Sequence, residues 1–470
     1  MKTIGNLLKR PNMLSSIGLS AFILAAATAQ ADAWSYKEAA EPYKGVEISI
    51  LDEITPLQEL FAKIVPQFEE ETGIKVNYQL LNHFEVINRG QADMLSGRGE
   101  YDAVMLHSLQ VGLLMDANVL SPIDTYLADP KLANPDFDME DLIAPAFNSL
   151  AYQSGKIYSL LNWNYNMVYW ARKDLLENPE EKAAFEAKYG YPLAPAKTFK
   201  QLNDIAEFFT RKSGEKLAGK TLDSDFYGIV MEGMNGGGTY VPVWQIFIRN
   251  SGGDIFDKDG HPTFDTPAVV EGLKAWGDLW KFSPPGQAEY SLIDVPTVMG
   301  NGIAAQSIAY SDFVLGIDRE GGSALHGKFV YGPTPGHDEH EEHYHSAGEP
   351  SAYFISKHSK HPEATFLFLQ WAAEKKNQDT LLSGGVGVPV RDSSWAKLQT
   401  EGNALNNLYD AMKGSLAGVQ ATPKAPRFFQ ISDVMNRVFQ KVGLGQLTAE
   451  EAAKELQSEV VAICDPCVLK

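Results

Sequence analysis

The stretch GHDEHEEHYH at residues 336–345 contains the residue types that bind metal ions. Between His337 and His345, four histidines and four carboxylates occupy nine consecutive positions. Imidazole nitrogens and carboxylate oxygens are ligands for zinc, and histidine-rich tracts can hold zinc or copper. A loop that faces solvent, however, tolerates any polar composition. The tract is therefore either a solvated loop, which we favour, or a metal site with weak candidate ligands at His337, His340, His343 and His345.

The sequence contains two cysteines, Cys464 and Cys467, in the motif CDPC near the C-terminus. In an oxidising compartment such a pair favours a short-range disulfide that fastens the tail. A metal site would need two further ligands. A redox-active pair normally opens a helix after a strand, and this pair does not.

Motifs for covalent catalysis and phosphate binding are missing from the sequence. It has no Gly-x-Ser-x-Gly nucleophile motif. The glycine-rich NGGGTY, which begins at Asn235, lacks the lysine and hydroxyl residue of a phosphate-binding loop. Carboxylates are abundant, so pairing them by eye does not identify a glycosidase. We expect no enzymatic activity and no cofactor.

The elements that position these residues begin with alternating strands and helices. An apolar strand over 46–51 precedes Thr55 and Pro56, which are typical of an N-cap and a first helical residue. Apolar residues then recur at helical spacing until Gly73. KVNYQLL and YDAVMLH predict the second and third strands, with helices over 84–95 and 109–117. Such alternation predicts an α/β fold with parallel strands and helices on both faces.

The middle of the chain predicts a second sheet without a separating linker. An aromatic, strand-like run covers 155–176, and further strands are predicted at 226–231, 302–310 and 328–336. Two sheets without a linker are best explained by two lobes between which the backbone crosses repeatedly. Because ligands of open α/β sheets bind at the carboxyl ends of strands, two such edges would face each other across a cleft that closes by a hinge.

The N-terminus predicts export. Basic residues precede an apolar run over 13–29 and the small residues ATAQADA, as in a secretory signal peptide covering 1–33. The net charge of −20 argues against nucleic acid or an anionic membrane as a partner.

Five stretches in order resemble the family 1 extracellular solute-binding proteins of ATP-driven import systems, the group that contains the maltose-binding protein. They are FEEETGIKV, GEYDAVMLH with GLLMDANVLSPID, GKIYSLLNWNYNMVYWARKDLL, GGDIFDKDGHPTFDTPAVVEGLKAWGDL, and SKHPEATFLFLQWAAEKKNQ with GGVGVPVR. The resemblance implies a two-lobed periplasmic-binding-protein fold of type II, in which each lobe is a doubly wound sheet. It implies a monomer in the periplasm that captures a sugar, polyol or short oligosaccharide and delivers it to an inner-membrane permease.

The resemblance also implies where the ligand binds. Sugar sites combine aromatic platforms with fixed polar side chains, and NWNYN at 162–166 offers both. Strand alternation places Asn162 and Asn164 on one face and Trp163 and Tyr165 on the other, without showing which face lines the cleft. The remaining candidates follow strand ends or correspond to the second lobe's wall: Glu53, Thr55, His107, Ser108, Gln110, Tyr240, Trp244, Tyr310, Asp312 and Glu349.

The predicted lobes divide the mature chain into four segments. The N-terminal lobe takes residues 34–163 and 312–355, and the C-terminal lobe takes 164–311 and 356–470. In this arrangement the histidine-rich tract falls at a hairpin turn, which favours a solvated loop. The alternatives left open are a periplasmic metal-binding protein that uses this tract and an exported carbohydrate-active enzyme.

Overall fold

The computed structural model describes residues 34–236, 238–318, 321, 323–337, 348, 350–383, 389–400, 406–416 and 422–469. The predicted signal peptide lies outside these residues. The strands are β1 Glu47–Glu53, β2 Lys75–Leu81, β3 Ala103–His107, β4 Tyr152–Gln153, β5 Lys156–Ile157, β6 Leu161–Trp163, β7 Met167–Arg172, β8 Lys216–Leu217, β9 Lys220–Thr221, β10 Gln306–Tyr310, β11 Phe329–Gly332 and β12 Ser351–Ile355.

Helices pack around these strands. They are α1 Tyr36–Ala39, α2 Pro56–Thr72, α3 His83–Ser96, α4 Ser108–Asp116, α5 Asp124–Leu127, α6 Ala144–Leu150, α7 Lys173–Leu176, α8 Pro179–Tyr189, α9 Phe199–Phe209, α10 Tyr240–Pro242, α11 Pro267–Leu279, α12 Asp294–Gly300, α13 Ser311–Ile317, α14 Pro362–Ala372, α15 Lys375–Ser383, α16 Asp392–Thr400, α17 Asn406–Leu416, α18 Phe428–Gly443 and α19 Ala449–Ile463. After α10 the chain continues as a π-helical turn over Val243–Ile248.

The larger sheet has the strand order β2-β1-β3-β12-β6. β1 is parallel to β2 and β3, as predicted, whereas β12 runs antiparallel to both β3 and β6. Every residue of β3 is buried, as expected for a strand covered on both faces. Because Ser351 at the start of β12 faces both His107 and Trp163, the carboxyl ends of β1, β3 and β6 lie at one edge of the sheet.

The smaller sheet has the order β10-β7-β11, and both pairings are antiparallel. Within the two-lobed α/β fold, these three strands are therefore antiparallel rather than parallel. The reason is the direction of the chain: β7 leads away from the crossing at residues 164–166, whereas β10 returns to it, with Tyr310 opposite Met167. Residues 226–231 are predicted as a strand, but the structure has isolated parallel bridges there. They connect Tyr227 to Ala304 and Val230 to Ser307.

The signals predicted at the ends of helices are confirmed in α2. Thr55 is the N-cap and accepts a hydrogen bond from the Gln58 amide, and Pro56 is the first helical residue. Gly73 ends the helix with φ 74°, in the left-handed region that glycine adopts without strain. Rings of α2 pack against α14, with Phe68 and Phe368 centroids 5.3 Å apart.

Cys464 and Cys467 form a disulfide just after α19. The Cys467 amide donates a hydrogen bond of 2.8 Å to the Gly260 carbonyl, so the closed loop is attached to the turn around that glycine. Asp465 within the loop forms an ion pair with His261. The disulfide therefore fastens the C-terminal tail, as predicted.

Candidate functional site

A cavity of about 270 Å³ lies where the carboxyl ends of the larger sheet approach the smaller sheet. Glu53 ends β1, His107 ends β3 and Trp163 ends β6, while Tyr310 ends β10 of the smaller sheet. The opposite wall comes from α18 and from residues before and after α11: Gly236, Gly238, Tyr240, Val241, Leu292 and Ile293. Both sheets therefore contribute to one cavity, as the rule for open α/β sheets predicts.

Glu53 is the centre of a hydrogen-bonded group on the cavity wall. One carboxylate oxygen contacts His83 Nδ1, and the other lies 3.3 Å from His107 Nε2. Tyr165 Oη lies 3.0 Å from His107 Nδ1, so the imidazole is held on both sides. Burial alone would raise the pKa of Glu53, but the two imidazoles lower it well below its usual range. Glu53 is therefore ionised at neutral pH.

The same group could hold a divalent cation. Ligand atoms of Glu53, His83 and His107 all lie within 4.8 Å of one another. Two imidazole nitrogens and one carboxylate oxygen suit zinc, which takes three protein ligands at sites with an open position. Each member is nonetheless accounted for by a hydrogen bond within the group, so the arrangement does not require a metal.

Aromatic rings follow one another across the cavity. The centroids of Trp163 and Tyr165 are 4.9 Å apart, those of Tyr165 and Tyr310 are 5.3 Å apart, and those of Tyr310 and Phe313 are 6.1 Å apart. These rings connect β6, the crossing after it and the start of α13. They provide apolar faces of the kind on which sugar C–H groups pack.

Asp312 lies between Tyr310 and Phe313 in the sequence and is half-buried. Its Oδ1 is buried without a hydrogen-bond partner among the described residues. Burial raises the pKa of Asp312 to about 7, and the nearby Glu53 acts in the same direction. The carboxyl group is therefore only partly ionised at neutral pH unless a ligand stabilises its charge.

The neighbouring residue Asp52 is a second buried carboxyl and stabilises the position of Glu53. Asp52 accepts hydrogen bonds from the Glu53 amide at 2.7 Å, from the Tyr78 hydroxyl at 2.6 Å and from the Tyr353 hydroxyl. Burial raises the pKa of Asp52 to about 7, although both hydroxyls act in the opposite direction. These contacts join β1, β2 and β12 next to Glu53 and hold its backbone in position.

The structure brings together most of the residues predicted from the sequence. Those that line the cavity are Glu53, Thr55, His107, Gln110, Trp163, Tyr165, Tyr240, Tyr310 and Asp312. The aromatic face of NWNYN is thus the one that faces the cavity.

Other predicted residues lie elsewhere. Asn162, Asn164 and Ser108 are buried and do not line the cavity. Trp244 is buried in the core, where its indole N–H donates a hydrogen bond of 2.8 Å to Asp254. Glu349, His340, His343 and His345 lie outside the described residues. His337 is exposed and pairs with Glu271 at 2.8 Å, away from the cavity.

Sequence reasoning missed several residues of the cavity. His83 and Phe84 follow β2, so the carboxyl-end rule that selected Glu53 would have selected them too. Phe429, Ser432, Asp433 and Asn436 come from α18. Nothing in the sequence around α18 indicates this role, because its place depends on packing against distant elements.

The fold and the cavity define a two-lobed solute-binding protein, and comparison with known proteins identifies the family. Residues 52–379 match the model of the family described as bacterial extracellular solute-binding protein, and the chain belongs to this family. Within the described residues, no helix is both long enough and apolar enough to span a membrane.

Individual relatives are distant. The erythritol/L-threitol-binding protein of Mycolicibacterium smegmatis is 22% identical over 401 residues, covering 83% of this chain and 80% of that protein. A probable amino-acid ABC transporter periplasmic-binding protein of Sinorhizobium fredii is 24% identical, with 89% of each chain covered. The crystal structure of an ABC transporter solute-binding protein from Agrobacterium radiobacter, in complex with ribitol, aligns with a TM-score of 0.74 at 20% identity, covering 90% of this chain and 99% of that one.

Proposed function

We propose that this protein is the exported, periplasmic substrate-binding component of an ABC transporter, and that it captures a polyol or a sugar in its cavity for delivery to an inner-membrane permease. The observation that carries the proposal is the composition of the cavity. Aromatic faces from Trp163, Tyr165 and Tyr310 stand beside the polar side chains of Glu53 and His107.

The polar atoms of the cavity wall are incompletely paired. Gln110 Nε2, Trp163 Nε1 and Asp312 Oδ1 are buried without a hydrogen-bond partner among the described residues. An unpaired buried polar atom costs about 1–3 kcal/mol. Ligand hydroxyls, brought in as the cleft closes, would supply donors and acceptors to such atoms. This supports a ligand rich in hydroxyl groups.

The size of the cavity supports a small ligand. Its volume of about 270 Å³ lies near the lower end of ligand pockets, roughly 300–1,000 Å³. A short polyol or a single sugar ring suits this volume better than an oligosaccharide does. The erythritol/L-threitol-binding relative and the ribitol complex also concern short polyols.

An amino acid is the competing ligand suggested by the Sinorhizobium relative. Its carboxylate would call for a lysine or arginine in the site. Among the described residues, none of those that line the cavity is a lysine or an arginine. The composition of the cavity therefore favours the polyol or sugar.

The proposed function also needs a hinge between the lobes. Asn166 lies at the crossing: its carbonyl accepts a hydrogen bond of 2.9 Å from the Ser311 amide, and its side chain donates one of 3.0 Å to the Met412 carbonyl. We propose the predicted lobe boundaries with two changes. β11 belongs to the lobe of the smaller sheet, and α14 belongs to the lobe of the larger sheet. The reason is that β11 pairs with β7 and α14 packs on α2.

Thermal-shift screening of the purified mature chain tests the proposal. Erythritol, ribitol, sorbitol, glucose and the common amino acids would be compared. A ligand at a hundredfold excess over its Kd stabilises the folded state by about 2.7 kcal/mol, which is readily detected. A rise in Tm with polyols or sugars alone supports the proposal, and ligand recovered unchanged excludes hydrolysis. A rise with amino acids alone would refute it.

A further inference from the structure

We infer that the ligand of this cavity carries a positive charge: a polyol or sugar with an amino group that is protonated at neutral pH. The inference rests on the proposed function and specifies its ligand further. It comes from the excess of acidic residues on the cavity wall and from the aromatic residues near in sequence to a carboxylate with one unpaired oxygen.

Acidic residues outnumber histidines on the cavity wall. The ionisable lining residues are Glu53, Asp312, Asp433, His83 and His107, apart from tyrosines. Both histidines contact Glu53, at 3.3 Å in the case of His107. Both histidines are thus engaged with Glu53, although the charge of His107 also lowers the pKa of Asp312, against the larger effect of burial. Among the described lining residues, no lysine or arginine is present to pair with Asp312 or Asp433.

Asp312 is the carboxylate that needs a partner most. No ion pair involving it occurs among the described residues, and its Oδ1 is buried without a hydrogen bond. Asp433, by contrast, is exposed, so water screens its charge. A buried carboxylate is stable when it is paired with a cation or fully hydrogen-bonded. An ammonium group of a ligand would provide both.

The aromatic rings favour the same group. Asp312 is flanked in the sequence by Tyr310 and Phe313, whose ring centroids are 6.1 Å apart, and Tyr165 lies 5.3 Å from Tyr310. The face of an aromatic ring is electronegative and attracts an ammonium ion within about 6 Å. An aromatic wall next to a carboxylate with one unpaired oxygen is thus complementary to a cation, whereas a neutral polyol needs only the rings and the hydrogen bonds.

Matched ligand pairs test the inference by isothermal titration calorimetry. Sorbitol is compared with N-methyl-D-glucamine, which has the same carbon chain with a terminal amine, and glucose is compared with glucosamine. We expect the amine of at least one pair to bind about tenfold more tightly than its neutral partner, equivalent to about 1.4 kcal/mol. We expect gluconate, the anionic counterpart, to bind more weakly than sorbitol.

Charge-neutralising variants identify the residue responsible. Asp312→Asn should remove the preference for the amine, whereas Asp278→Asn should keep it. Asp278 is a half-buried residue of α11, outside the cavity lining, and pairs with Lys281 at 2.9 Å. Circular dichroism and Tm establish that each variant is folded. If Asp312→Asn does not fold, the comparison of charged and neutral ligands on the unmodified protein is by itself the test of the inference.

The outcomes separate the inference from the proposed function. Neutral polyols or sugars that bind as tightly as the amines would overturn the inference and leave the proposed function standing. If none of these compounds binds, charged or neutral, both are overturned. Retention of the preference in folded Asp312→Asn would also overturn the assignment to this residue.

Discussion

Trp163 and Trp244 show at the residue scale how one residue type serves two purposes. Both are buried, at 4% and 1% exposure, and the sequence predicts both as ligand contacts. Trp163 lines the cavity, whereas Trp244 packs against Phe428 and bonds Asp254. Composition cannot distinguish the two, because an aromatic residue in an apolar stretch suits a cavity wall and a core equally well.

Replacing each tryptophan by alanine should separate these roles. Trp163→Ala should weaken binding of the cognate polyol or sugar by more than about 1 kcal/mol, because a stacking surface is lost. Trp244→Ala should lower the free energy of unfolding by about 3–5 kcal/mol, because it leaves a cavity in the core. Calorimetry and urea unfolding on both variants measure the two effects. Unchanged affinity in Trp163→Ala would remove this residue from the site.

Glu232 predicts a pH dependence of stability. It is buried, one of its oxygens has no partner among the described residues, and burial raises its pKa to about 8. Between about pH 4.5 and pH 8 the unfolded chain is ionised at this residue while the folded chain stays protonated, so its contribution to stability falls as pH rises. Glu232→Gln should therefore stabilise the protein at pH 8, by up to about 4 kcal/mol, and change little at pH 4.5.

Urea unfolding of the wild type and Glu232→Gln at both pH values measures this difference. Asp52 has a similarly raised pKa and remains in both proteins, so the comparison isolates Glu232. An equal effect of the substitution at both pH values would contradict the assignment.

At the element scale, the sequence predicts the first βαβα segment well and the second sheet poorly. Thr55, Pro56 and Gly73 mark the ends of α2 through local backbone chemistry, so they can be read from the chain. The direction of β10 and β11 depends on where the chain crosses between sheets, which is not local. The same difference separates Glu53, found from the end of a strand, from Asn436, which reaches the cavity through the packing of α18.

Alanine substitutions at two glycines test the packing of the helices, and we expect them to change stability in opposite directions. A Cβ at Gly228 would lie 1.7 Å from the Ala206 carbonyl oxygen of α9, so Gly228→Ala must displace backbone and should cost about 1–3 kcal/mol or more. Gly414 lies exposed inside α17 with nothing within 4 Å of such a Cβ. Gly414→Ala should raise stability by about 0.5–1 kcal/mol. Chemical denaturation compares them, and equal effects would contradict the packing described.

At the scale of the whole molecule, one cavity collects residues from β1, β3, β6, β10 and α18, which are spread over most of the chain. A binding protein with two lobes needs such a cavity, because a ligand held by both sides favours the closed state over the open one. The polar and aromatic composition of the walls then decides what is bound. The central claim is accordingly that this cavity binds one polyol or sugar per chain.

Isothermal titration calorimetry of the mature chain tests this claim most directly. Erythritol, ribitol, sorbitol and glucose, with the amines N-methyl-D-glucamine and glucosamine, are titrated into the wild type and into Trp163→Ala. We predict saturable binding of at least one of them with one site per chain, weakened in the variant by more than about 1 kcal/mol. Absence of binding by every polyol, sugar and amine, or binding unaffected by Trp163→Ala, would contradict the account.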